Sequence, residues 1–276
     1  MSTTAISAAD VNKLRQMTGA GMMDCKKALT EANGDFEAAI DLLRKKGQKI
    51  AANRQDREAK EGYVFGKVSA DGKFGALVAV CCETDFVAKN ADFVKFGESI
   101  LEVAMSGKPS SKDDLNAMKL GATTVAEACV EQMGKIGEKI ELIDYRSVNA
   151  DKVIAYNHPG NKLTAMIGFN ANVSEDVAKD IAMQAAAMAP VAVDKDDVDP
   201  KMLEREMEIA KDQARQEGKP ENMIEKIALG KVNKFYNEYT LLNQEFIKDD
   251  KKTVRQYLET IDKNIRVTSM QRVKIG

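Results

Sequence analysis

The chain has 276 residues, room for roughly two or three domains that each bury a core. Its 41 lysines and arginines against 43 aspartates and glutamates leave a net charge of −2, too weak a field to mark nucleic acid as the main partner. One histidine, no tryptophan and four cysteines (Cys25, Cys81, Cys82, Cys129) at no zinc, CxxC or disulfide spacing argue against histidine chemistry and a metal site. The start carries no leader-like pattern and no apolar run reaches the roughly eighteen residues of a membrane span, so the expectation is a cytoplasmic protein with reduced thiols.

In chain order, residues 6–47 carry three short helical patterns. In SAADVNKLRQMTG, Ser7 and Asp10 form a capping box, Val11, Leu14 and the stem of Met17 share a face, and Gly19 ends the run. In MMDCKKALTEANG, Asp24 starts a helix that turns Ala28 and Leu29 inward and stops at Asn33-Gly34. In DFEAAIDLLRKKG, Asp35 opens a helix with Phe36, Ala39, Ile40 and Leu43 at helical spacing, closing at Gly47. These give a three-helix bundle over 1–50. The charged, alanine-rich residues that follow, to Glu61, read as a linker (51–61).

From Gly62 the pattern becomes an α+β one. Two β-rich runs flank Asp71-Gly72, a strong hairpin signal, and DFVKFGESILEVAMSG reads as a helix burying Phe93, Phe96, Ile100, Leu101 and Ala104. The plan recurs after residue 150: strand, turn at Pro159-Gly160, strand and helix, with KLTAMIGF matching KFGALVAV and DVAKD matching FVAKN. Two related α+β units follow, over 62–150 and 151–276. The second includes two long helical runs at about 201–236, reversed at Gly218-Lys219-Pro220 into a projecting antiparallel hairpin. Met202, Met207, Ile209, Ile224, Ile227 and Leu229 are its apolar positions, and a last helix and strand close the chain.

Several residues invite a functional reading beside a plain one. Cys81 and Cys82 could make a thiol enzyme, but neighbours on a strand point to opposite faces, which favours two buried structural thiols. Exposed His158 is a turn residue or an interface contact. Met22 and Met23, being adjacent, cannot both face the bundle core, and methionine suits adaptable surfaces. In CCETDFVAKN, Thr84 caps a helical turn, Asp85 suits its start, Val87 turns inward, and Phe86 is either core or an exposed anchor for a partner pocket.

LRQMTGAGMMDCKKAL and ETDFVAKN resemble the two signature regions of the bacterial elongation factor Ts family. The likeness continues through EANGD, the His158 turn, EGKPENMIEKI and Lys252 to Val254, and so covers nearly the whole chain. It departs where Ala79, Cys81 and Glu83 replace an acid, an asparagine and a glutamine common in relatives. The resemblance implies a guanine-nucleotide exchange factor without bond chemistry, cofactor or metal of its own, acting on the translational GTPase elongation factor Tu, with no direct nucleic-acid or membrane partner. It implies that Asp85 and Phe86, framed by Thr84 and Val87, disturb the groups around the GTPase's magnesium, with Phe86 as the wedge. It further implies docking through Arg15, Met22, Met23 and Lys26, a second contact at Ile136 and Gly137, and others at His158 and Ile247. The bundle is similar in fold to ubiquitin-associated domains, which carries no function by itself. Homodimerisation is left open, and the competing classes are a peptide- or protein-binding scaffold and, behind it, a thiol enzyme using Cys81 or Cys82.

Overall fold

The computed structural model describes residues 6–276, so the start of the expected bundle, residues 1–5, lies outside it. Helix α1 (Ala8–Thr18) opens on the expected capping box, Ser7 accepting the Asp10 N–H while the Asp10 carboxylate accepts the Ser7 N–H, and ends at Gly19 with φ of 67°. Helix α2 (Met22–Glu31) starts ahead of Asp24, which instead sits in its first turn and pairs with Lys46 at 2.5 Å. Helix α3 (Phe36–Asn53) is capped by Asp35. Val11, Leu14, Ala20, Cys25, Ala28, Leu29 and Ala39 form the core they share.

Two expectations for this region are corrected. Met17 is exposed rather than packed beside Val11 and Leu14. Helix α3 does not close at Gly47 but runs through it, so residue 50 falls inside a helix. A glycine within a helix costs about 1 kcal/mol relative to alanine. Here it permits a close helix crossing: a Cβ on Gly47 would stand 3.0 Å from the Val130 carbonyl oxygen and 3.6 Å from Gly134 Cα.

Strands β1 (Glu61–Val68) and β2 (Phe74–Cys82) form the expected hairpin, with Gly72 at φ of 70° in its turn. Next come the single turn α4 (Asp85–Ala88), helix α5 (Ala91–Gly107), which buries the five residues expected, the short helix α6 (Lys112–Ala117) and the two-residue strands β3 (Lys119–Leu120) and β4 (Thr123–Thr124). Helix α7 (Val125–Ile136), which carries Val130 and Gly134, and strand β5 (Glu141–Asn149) complete the first unit. The second begins with β6 (Lys152–Asn157), β7 (Leu163–Phe169) and α8 (Glu175–Met188). The hairpin helices α9 (Pro200–Gln216) and α10 (Glu221–Tyr239) follow, then β8 (Glu245–Phe246), β9 (Asp249–Thr253), α11 (Val254–Ile261) and β10 (Val267–Lys274).

Both units share one wiring. The sheets are antiparallel with orders β1-β2-β5 and β10-β7-β6, so each hairpin's second strand is central and the unit's last strand returns to it. The sheets pack face to face. Val64, Leu77, Ala79, Cys81, Val153, Met166 and Val273 lie between them, while the outer faces carry α5 and α7 on one side and α8 and α11 on the other. Glycines allow the close approach, for a Cβ on Gly75 would reach 2.6 Å from Met166 Sδ. The hairpin buries Ala210, Ala214, Ile224, Ala228 and Val232; of the expected apolar positions Ile224 is buried and Met207 and Ile227 half-buried, while Met202, Ile209 and Leu229 are exposed. Three small alanines line the hairpin beside Ile224 and Val232.

Candidate partner-binding site

All nine residues of β2 are buried, and its alternation sends Ala76, Val78, Val80 and Cys82 toward the helices and Leu77, Ala79 and Cys81 toward the second sheet. Ala79 and Cys81, two of the departures from the family pattern, are therefore small groups filling an apolar layer. Burial, with nearby carboxylates adding to it, pushes the Cys81 and Cys82 thiols up to about 12. They stay protonated at neutral pH, the opposite of an activated nucleophile.

Beyond Cys82 the chain turns sharply. Thr84 is extended, and its hydroxyl oxygen accepts the Val87 N–H at 3.4 Å to cap α4. Val87 packs against the helix-side core and Ala88 is buried, so the turn is seated from below. Phe86 points the other way and is 84% exposed. Asp85 is held by Lys89, whose Nζ lies 2.6 Å from Oδ2, and this bond keeps the Asp85 carboxyl below the usual carboxylate range.

Neighbouring groups fix the turn further. Glu138 Oε1 accepts the Thr84 hydroxyl at 2.7 Å and Oε2 accepts the Thr84 N–H at 3.0 Å. Glu83, the third departure, accepts the Lys139 N–H at 2.6 Å and the Arg54 guanidinium at 2.5 Å. Burial works against its charge, but these two donors outweigh it and hold its carboxyl below the ordinary range.

The other expected residues fall around this turn to different degrees. Ile136, half-buried, and Gly137, the left-handed cap of α7 at φ of 84°, immediately precede Glu138 and so adjoin Thr84. The α1–α2 turn lies beside the end of α7, since a Cβ on Gly19 would stand 3.4 Å from Lys135 Cε. Past that turn Met22 and Met23 are exposed by 48% and 62%, and Arg15 and Lys26 are exposed too. His158 is exposed, with Nδ1 3.1 Å from the Tyr156 hydroxyl. Its turn is tied to the same end of the sheets by Lys162, which pairs at 2.7 Å with Glu61, the residue opposite Cys82. Ile247, 45% exposed, belongs to a different layer: its N–H is held at 2.8 Å by the buried Gln184 of α8.

Sequence reading missed Arg54, Lys89, Glu138 and Lys139. Lys89 was within reach as the i+4 partner of Asp85. No local signal relates Glu138 to Thr84, 54 positions away.

The fold and this turn define an α+β protein that presents a rigidly seated, solvent-facing aromatic and, on its helical bundle, two exposed methionines. The comparison with known proteins is direct. The family model for Elongation factor TS matches residues 83–276. A relative named elongation factor Ts from Cytophaga hutchinsonii is 54% identical over 277 residues, covering 99% of this chain and all of its own. Those of Amoebophilus asiaticus and Chloroherpeton thalassium are 50% and 44% identical, covering 99% and 98% of both chains. The chain belongs to the elongation factor Ts family. Among the described residues, no helix is long and apolar enough to cross a membrane.

Proposed function

We propose that this protein is a guanine-nucleotide exchange factor for elongation factor Tu, and that the turn Thr84-Asp85-Phe86-Val87 is the part that loosens GDP. The observation that carries the reading is Phe86, 84% exposed on a turn whose other apolar residues are tucked away. A large apolar side chain held in water on a capped turn gains free energy only when a partner covers it. Exchange then follows from linkage: a factor that binds the nucleotide-free GTPase more tightly than its GDP form weakens GDP by the same ratio. Mg²⁺ demands near-ideal octahedral oxygen geometry, so a small displacement of the partner's groups around it is costly to the bound nucleotide.

Asp85 acts beside Phe86, exchanging its Lys89 pairing for groups on the GTPase. Arg15, Met22, Met23 and Lys26 form the docking surface of the bundle, Ile136 and Gly137 a contact next to the wedge, and His158 and Ile247 contacts of the second unit. The protein supplies binding energy and no bond chemistry.

Phe86→Ala tests this. Losing an apolar contact of roughly 1.5–3 kcal/mol, if it is made mainly in the exchange transition state, slows GDP release about ten- to a hundredfold. Exposed as it is, the side chain's loss is expected to leave stability within about 0.5 kcal/mol. Stopped-flow release of fluorescent GDP from elongation factor Tu measures the first and thermal melting the second. A variant that melts normally and exchanges at the native rate rules out Phe86 as the wedge.

A further inference from the structure

We infer that Glu138 is a positioning residue for the Thr84–Val87 turn, acting with Glu83 in a reciprocal clasp that makes this turn and Ile136-Gly137 one rigid surface; the inference deepens the functional reading above and rests on it. The β2–β5 ladder runs out where Cys81 stands opposite Glu141. Glu83 and Thr84 on one side, and Glu138 and Lys139 on the other, lie beyond that last backbone pair. Across this gap the Glu138 carboxylate accepts the Thr84 N–H at 3.0 Å, and in the opposite direction the Glu83 carboxylate accepts the Lys139 N–H at 2.6 Å. Each side chain thus stands where the partner strand's carbonyl would be, and a carboxylate makes a shorter, stronger bond than a carbonyl.

The Thr84 hydroxyl is used twice: its oxygen accepts the Val87 N–H, and its proton goes to Glu138 Oε1 at 2.7 Å. The side chain that caps α4 is therefore itself held. Two further ties anchor the clasp to the stretch after α3, Arg54 on Glu83 at 2.5 Å and Lys139 Nζ on the carbonyls of Gln55 and Arg57 at 3.1 and 3.2 Å. Phe86 itself has almost no packing, so its position is set by the backbone that bears it. A wedge delivered already in place avoids the ordering cost that a floppy one would meet at the moment of exchange.

Glu138→Ala and Glu138→Gln test the clasp through two measurements. In the free protein, hydrogen exchange of the Thr84 amide, read by NMR, is expected to quicken roughly tenfold or more in Glu138→Ala. Glu138→Gln is expected to fall between, since its remaining carbonyl oxygen can accept one of the two Thr84 donors. With elongation factor Tu carrying fluorescent GDP, Glu138→Ala is expected to lower the maximal release rate roughly tenfold while the half-saturating concentration barely moves. In a Phe86→Ala background it is expected to add nothing, because it acts through Phe86.

An unchanged Thr84 amide overturns the inference. So does a quickened amide with native exchange, and so does an undiminished loss in the Phe86→Ala background, which would mean that Glu138 touches the GTPase directly. If Phe86→Ala alone exchanges normally, the functional reading falls, and the Thr84 amide still decides whether Glu138 holds the turn.

Discussion

At the scale of single residues, Glu83 shows what a departure from a family pattern can do. A glutamine here could still accept the Lys139 N–H; glutamate adds a charge that pairs with Arg54 at 2.5 Å. Glu83→Gln is expected to cost about 1 kcal/mol at pH 7, the scale of a partly buried, charge-assisted pair. The Glu83 carboxyl is depressed in the folded protein. The stability it contributes is therefore present in full above its unfolded pKa of about 4.3 and is lost as pH falls through the lower folded value. Denaturant melts of the native protein and Glu83→Gln should differ at pH 7 and converge as the pH falls below the Glu83 carboxyl's lowered folded value; a gap that persists once it is protonated would mean the carboxylate is not its source. The cap at Thr84 and the inward Val87 were legible in sequence, but the local pattern left Phe86 as either core or exposed anchor; only the resemblance pointed outward, and the structure leaves it exposed. The carboxylates that fix its turn were not legible, because hydrogen bonds spanning more than fifty positions leave no periodicity to read.

At the scale of elements, most of the helices and strands could be read from caps and spacing, and the errors share a cause. Gly47 looked like a helix stop, since glycine usually ends a run of helix formers. It is instead the point where α3 meets α7, with Gly134 facing it. Of the hairpin's large apolar residues singled out in the sequence, Ile224 is buried, but Ala210, Ala214 and Ala228 fill much of the rest of its seam. In both cases a small residue sits where two helices meet, a tertiary circumstance absent from a one-dimensional pattern. Gly47→Val makes this testable. Its Cβ would stand 3.0 Å from the Val130 carbonyl oxygen, tighter than ordinary contact, and that backbone atom cannot move aside as a flexible side chain would. Although valine removes the glycine helix penalty, overpacking of this kind costs about 1–3 kcal/mol, so a lower melting temperature is expected. A higher one would mean that α3 gains more from helix propensity than it loses at the crossing.

At the scale of the whole molecule, the two sheets share one apolar layer, so the α+β units are expected to unfold together although the sequence reads as a duplication. The bundle is joined differently, chiefly through α3, with the α1–α2 turn also resting beside Lys135 at the end of α7. The first half of that helix contributes Ala39, Ile40 and Leu43 to the bundle core, while Ile50 and Ala51 pack on the first unit and Arg54 reaches Glu83. A cleft of about 300 Å³, lined by Met17, Leu43, Arg44, Glu131 and Lys135 among others, opens between the bundle and α7 beside the Gly47 crossing. We therefore propose that the bundle is a separable docking module whose working boundary falls within α3 rather than after it. Two truncations distinguish the possibilities. A chain of residues 45–276 keeps Gly47, Ile50, Ala51 and Arg54 and is expected to melt close to the full protein while binding elongation factor Tu more weakly, having lost Arg15, Met22, Met23 and Lys26. A chain of residues 56–276 loses the covering half-helix as well. Removing a partly buried isoleucine and alanine and stranding Glu83 without Arg54 should cost a further 2–3 kcal/mol or so, roughly 4–12 °C in a body of this size. Equal melting temperatures for the two truncations would show that the end of α3 belongs to the bundle and places the boundary beyond Asn53.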